Sequence, residues 1–330
     1  MTAGDAEGRS NAFRGRRGLV ERVTLLFGVP ALVAFTAIGA GLMPSQFFEA
    51  SCAVGAAFGT RIACFDFMWN ALTVGAFVGL VGPVVGTFVV YREMALIGET
   101  IAHAAFAGVA LGTLVLGAVG WNATLFAFAL VTAVVGAVGV QRLAEHTDAG
   151  GDVPVAIVLA GSFAVGVVLL DLGGGFATVE IGSYLFGDVS ITDDRSVRVM
   201  TLVSLGVVAT VTAAYKQLLF VTFDPRAARV AGLDVSRYDA LVVGATAVVV
   251  VGSMRILGVI LVAAMLAVPV AAAGQVARSF RSALYGSVLV GETAVFAGLA
   301  LAWSYGVRPS GAIVVVAVGI YLAAVAVGNR

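Results

Sequence analysis

At 330 residues, 60% of them hydrophobic and 12% charged, with a mean hydropathy of +1.05, the chain carries more apolar side chain than a water-soluble fold can bury. Its formal net charge is zero, which excludes a nucleic-acid partner held through a basic surface. The single lysine, Lys216, follows Tyr215, so no Gly-Lys dipeptide exists and no P-loop can bind ATP.

The first 22 residues are charged through Arg9, Arg14, Arg16, Arg17, Glu21 and Arg22. The apolar run that follows, 23–43, exceeds the roughly 7–15 residues of a signal-peptide core and predicts a spanning helix. With the external loop behind it, this helix makes 23–69 an N-terminal addition to a main body over 70–330. Further spans are predicted at 70–91, 98–118, 121–142, 153–172, 196–216, 238–253, 257–277, 283–304 and 311–328. At about 1.5 Å per helical residue all but the two shortest, 238–253 and 311–328, reach the ~30 Å of the hydrocarbon core. The runs are continuously apolar, whereas strands of a membrane barrel would alternate in polarity over about ten residues. An all-α polytopic bundle of about nine to ten transmembrane helices in a lipid bilayer is therefore expected.

With the N-terminus in the cytoplasm, 14 of the 19 basic residues fall on the inner side, among them Arg92, Arg142, Lys216, Arg226, Arg229, Arg237, Arg278 and Arg281. Only Arg61, Arg195, Arg198, Arg255 and Arg308 fall outside, the asymmetry expected of a multi-pass plasma-membrane protein. Cys52 and Cys64 share the first external segment, where an oxidising compartment permits a disulfide; two small apolar residues in a membrane-adjacent loop are the other reading. Gly75-x3-Gly79 and Gly82-x3-Gly86 allow close helix approach and identify no function.

The most informative stretch runs from Tyr91 to Gly108 and includes Gly98-Glu99-Thr100-Ile101-Ala102-His103. Glu99 and His103, four apart, project from one helix face about 6 Å from each other. Ionisable groups inside a span usually face a cavity, a partner or a transport path. A carboxylate with an imidazole suits zinc, manganese or ferrous iron, and two ligands suit transient binding. The bland reading makes Glu99 an interfacial carboxylate complementing the helix dipole and His103 a structural bond. Further on, Asp224 caps a short helix that Pro225 opens and Gly232 ends, on the cytoplasmic side; it is either a docking knob or an ordinary connector. Glu292 lies within a predicted span and faces the interior or a dimer contact. No Ser/His/Asp arrangement, His-Glu-x-x-His or Cys-x-x-Cys is present, so the chain reads as no enzyme in itself.

These blocks, together with Tyr184-Leu185-Phe186-Gly187-Asp188, Leu257-Gly258-Val259, Pro269-Val270-Ala271-Ala272-Ala273 and Pro309-Ser310-Gly311, resemble in their order the permease subunits of ABC importers for zinc, manganese and iron. The resemblance runs from about Ala71 to the C-terminus, and 1–64 has no clear counterpart. It implies a type II importer permease, working as two copies with two cytoplasmic ATPase subunits and an external solute-binding protein. It implies no permanently bound cofactor, the divalent metal being cargo. It places Glu99 and His103 where the family's pore has an aspartate and a histidine, and it makes Asp224, Pro225, Ala228 and Gly232 the coupling element to the ATPase. Glutamate stands where aspartate is usual, and Ala107 where proline is common. A permease for a metal chelate, siderophore or cobalamin-like cofactor is the alternative. An ion-gradient carrier ranks lower, because no inverted repeat with broken helices is evident.

Overall fold

The computed structural model describes residues 33–38, 41, 49–53, 64–116, 123–146, 153–173, 184–187 and 194–328. Among these the regular structure is helical, with no strand. The principal helices are α1 (Asp66–Tyr91), α2 (Ile97–Leu116), α3 (Ala123–His146), α4 (Val153–Leu172), α5 (Asp194–Ala213), α6 (Tyr215–Phe223), α7 (Pro225–Val230), α8 (Val235–Leu257), α9 (Val259–Val276), α10 (Phe280–Tyr305) and α11 (Pro309–Gly328). Among the described residues, all except α6 and α7 are long and apolar enough to cross a bilayer, nine in total. Helices satisfy every internal N–H and C=O within one segment, which lipid demands.

Nine predicted spans correspond to these nine helices. The tenth, 23–43, lies largely outside the described residues; of it, 33–38 is helical, and Phe35 stacks on Phe296 of α10 at 6.0 Å. Most boundaries shift by one to four residues, and two of the differences have a clear physical reason. A break is expected across 254–256, yet Ser253, Met254 and Arg255 continue α8 because the Ser253 hydroxyl donates to the Val249 carbonyl and is satisfied within the helix. The chain turns instead at Gly258, at φ 82° and ψ 151°, a conformation only glycine adopts readily. The span expected over 196–216 stops at Ala213, and a separate helix, α6, begins at Tyr215.

Helix α1 is the central post. Its glycines lie in two seams: Gly75 and Gly79 face Val295 and Gly291 of α10, while Gly82 and Gly86 face Met265 and Leu266 of α9. At Gly79–Gly291 and Gly86–Leu266 backbone lies against backbone, with no room for a side chain. Thr87 and Ser287 bridge α1 to α10 through buried hydroxyls 3.1 Å apart. Gly86→Ala is expected to destabilise the bundle by about 1–3 kcal/mol through overpacking. Gly244→Ala in α8 meets nothing within 4 Å, and its removal of backbone freedom should gain up to about 1 kcal/mol. Thermal unfolding of the two variants in detergent gives the comparison.

Alternating chain direction sorts the helix ends into two groups. One carries Arg92, Arg226, Arg229, Arg237, Arg278 and Arg281, where α1 meets α2 and α9 meets α10. The other holds the α8–α9 and α10–α11 turns, with Arg255 and Arg308. Away from the Arg-rich end, Cys52 and Cys64 are joined, their Cα atoms 4.4 Å apart.

Candidate functional site

The helix bearing Glu99 and His103 starts from a tight reversal. Glu93 adopts a positive φ of 60°, and the amides of Glu93 and Met94 return to the carbonyls of Val90 and Val89, both at 3.0 Å. Gly98 then lets α2 lie against Leu266, whose Cδ1 would be 2.6 Å from any Cβ placed there. Glu99 falls in the first turn of α2 and His103 one turn further, both half-buried.

His103 Nδ1–H donates to the Glu99 carbonyl at 2.9 Å. A carbonyl only accepts, so Nδ1 carries a proton and Nε2 is the ring nitrogen not engaged by the backbone. His146 at the end of α3 makes the same bond, to the Arg142 carbonyl at 2.9 Å, while exposed, so this bond alone does not mark a site. What distinguishes His103 is its setting. Its ring meets Phe163 of α4 edge to face at 5.1 Å, and Phe163 stacks in turn on Phe106 at 5.8 Å. Among the described residues no donor reaches the Glu99 carboxylate, and no group of three or more His, Cys, Asp or Glu side chains gathers. Among the described residues, Glu99 and His103 thus stand as a pair of candidate donors with no third His, Cys, Asp or Glu beside them. Ala107 and Gly166 pack closely, with a Cβ at Gly166 falling 3.2 Å from Ala107 Cα, and this holds α4 and Phe163 beside the pair.

At the Arg-rich end, Asp224 caps α7 by accepting from the Ala227 amide at 2.8 Å, and Pro225 occupies the first helical position. Gly232 at φ 83° ends the turn, with the Leu233 amide returning to the Ala228 carbonyl at 3.0 Å. Only Ala228 is buried, in a small cluster with Val221 and Val235; Arg226, Arg229 and Val230 face outward, Val230 being 91% exposed. A rigid, doubly capped knob of this kind suits a protein contact.

Two arrangements had no signal in periodicity. Arg92, its side chain only 8% exposed, donates Nε–H to Thr222 of α6 at 3.0 Å and pairs through Nη1 with Asp239 of α8. Burial lowers the pKa of this guanidinium and the Asp239 carboxylate counters that shift. Around it, Phe280 gathers Phe88, Tyr91, Tyr215 and Phe223, with ring centroids 5.1–6.3 Å away. At the opposite end, residues 184–187 lie in a cradle. Gly187 (φ 74°) and Gly258 (φ 82°) meet backbone to backbone, the Ser310 hydroxyl donates to the Phe186 carbonyl at 2.5 Å, and Arg308 lies over the Phe186 ring at 5.0 Å. Three blocks far apart in sequence thus converge; Asp188 lies outside the described residues.

Residues 64–328 match the ABC 3 transport family. The chain belongs to that family. Among its relatives, a probable metal transport system membrane protein of Thermotoga maritima is 32% identical over 257 residues, 77% of this chain and 87% of the relative. A manganese import system permease protein of Streptococcus gordonii is 28% identical over 258 residues, 78% and 90% of the two chains. Among solved structures, PsaBC from Streptococcus pneumoniae in complex with Fab superposes at a TM-score of 0.71 with 27% identity, covering 85% of this chain and 95% of that one. An inward-facing, putative metal-chelate type ABC transporter shares the fold at a TM-score of 0.62 and 17% identity. As an ABC 3 transport family member the chain is a membrane permease component. The features that sequence missed, Phe163 beside His103 and the Arg92 clamp, join residues about 60 to 150 positions apart. The sequence signal available for the clamp was Asp239, an acid at the edge of the apolar run 240–251.

Proposed function

We propose that the chain is the membrane-spanning permease subunit of an ATP-driven importer of divalent transition-metal ions, with manganese as cargo. The observation that supports it is the pair on α2: a Glu99 carboxylate with no partner among the described residues, and one turn on a His103 ring whose Nδ1 is already engaged, leaving Nε2 as donor. Carboxylate oxygen and imidazole nitrogen are the donors that manganese, zinc and ferrous iron accept. An incomplete shell releases the ion again, and a second copy of the chain would bring a second Glu99 and His103 to complete it. Relatives named for manganese put that ion first, with zinc and iron as competitors. In this reading α7 receives a cytoplasmic ATPase subunit, an external solute-binding protein delivers the ion, and the N-terminus is cytoplasmic in the plasma membrane. The Cys52–Cys64 bond then lies on the oxidising side.

The test is uptake of radioactive manganese by vesicles holding this chain with the ATPase subunit that co-purifies with it, in the presence of the binding protein. ATP-dependent accumulation, competed by zinc, is expected; transport only of a chelated metal would replace the proposal with a chelate permease. Val230→Asp puts a charge on the exposed face of α7 without touching its caps, and should reduce ATPase co-purification at least about tenfold if this face is buried in a contact. Retention of the ATPase at the wild-type level would move the docking surface elsewhere.

A further inference from the structure

The Arg92 clamp has a topological peculiarity. In chain order the knob α7 hangs between two stems, α6 before it and α8 after it. Thr222 lies two residues ahead of the Asp224 cap, and Asp239 lies in the second turn of α8, so one guanidinium holds both stems. The same arginine follows the last residue of α1 and precedes the Glu93–Leu96 reversal that opens α2. Glu99 stands seven residues beyond it and His103 eleven. The aromatic cluster repeats the connection in apolar form. Tyr91, adjacent to Arg92, meets Phe223, adjacent to Asp224, at 6.1 Å, and both meet Phe280. Among the described residues Arg92 Nη2 is buried with no hydrogen-bond partner, and the guanidinium's polar contacts are the two on the stems.

We propose that Arg92 is a positioning residue that transmits displacement of the α7 knob to the start of α2, and so to Glu99 and His103. This rests on the reading of α7 as the ATPase contact. A push on α7 moves its stems; the stems are tied to Arg92; and Arg92 is covalently continuous with a four-residue reversal pinned by the Glu93 and Met94 amides, too short to absorb the movement. A buried charge without its partner is costly, so the ion pair resists being broken as the stems move. The polar contacts give direction, and the aromatic cluster gives contact area.

The decisive experiment measures ATP hydrolysis and manganese uptake in parallel, in vesicles containing the full chain with its co-purifying ATPase. Hydrogen exchange over 97–106 is followed with and without nucleotide trapped by vanadate. In Arg92→Gln and Asp239→Asn, hydrolysis is expected to stay within about twofold of wild type while uptake falls about tenfold, and nucleotide should no longer alter exchange at 97–106. Exchanging the two charges, Arg92→Asp with Asp239→Arg, should restore part of both signals, which a general loss of folding would not. Proportional loss of hydrolysis and uptake, or an unchanged nucleotide response at 97–106 in Arg92→Gln, would overturn the proposal. If wild type accumulates no manganese yet nucleotide alters 97–106 only with Arg92 intact, the relay holds and the cargo assignment fails.

Discussion

Replacing His103 with alanine is expected to reduce ATP-dependent manganese uptake by at least about tenfold, with ATP hydrolysis by the complex largely retained. The reason is the geometry of one ring. Nδ1 is engaged by the Glu99 carbonyl at 2.9 Å, so Nε2 is the only nitrogen that α2 offers a passing ion, and a two-donor site that loses one donor has little left. Alanine also removes an edge-to-face contact with Phe163 worth about 0.5–1.5 kcal/mol, so a fall in uptake could reflect looser packing of α2 on α4. His103→Phe separates the causes, because it keeps the ring and its contact and deletes both nitrogens. Phenylalanine transporting like wild type would return His103 to a purely structural role. Glu99→Gln should impair uptake similarly, since the amide keeps the shape and loses the charge. Glu99→Asp should keep uptake and change the ratio of manganese to zinc carried, because the shorter acid draws its oxygens back toward α2.

The second large effect concerns stability. Gly258→Ala is expected to destabilise the protein by about 2–5 kcal/mol, combining the cost of a backbone region nearly closed to L-residues with overpacking. Its Cβ would lie 2.5 Å from the backbone carbon of Phe186, and backbone cannot swing aside as a side-chain tip can. Gly187→Ala should do nearly the same, its Cβ falling 2.5 Å from the Ile256 carbonyl oxygen. The two disrupt one contact, so the double variant should lose less than the sum. Gly306 has a positive φ of 66° but open space around it, so Gly306→Ala should cost about 1–2 kcal/mol, the backbone term alone. Thermal unfolding in detergent reads all four; equal losses at Gly306 and Gly258 would show that crowding contributes nothing.

Most of the membrane architecture was legible because lipid imposes one rule on every span. The run 153–172 coincides with α4, and 311–328 begins two residues inside α11. Polarity misled where a helix met its own needs, as at Ser253, and helped little where an apolar stretch held a break, as between Ala213 and Tyr215. The α7 knob was readable because Asp, Pro and Gly act locally, through a cap, a fixed φ and a positive φ. That Glu99 and His103 stand one turn apart on one helix was readable from spacing, since four residues make roughly one turn. Phe163, Arg92 with Asp239, and the convergence of 184–187 on Gly258 and Ser310 were not, because each depends on which helices become neighbours. Arrangements of that kind follow from the order in which α1 accepts its partners, and no single stretch encodes it.

The two glycine seams on α1 limit how such a permease can open. Where backbone rests on backbone on two faces, the post has no slack to slide along its neighbours by a turn or to roll about its own axis, because either motion would drive Cβ atoms into the places of Gly79, Gly86 and Gly291. At these contacts α1, α9 and α10 are packed as one block, and Gly79, Gly86 and Gly291 are the positions where a larger side chain would prise it apart.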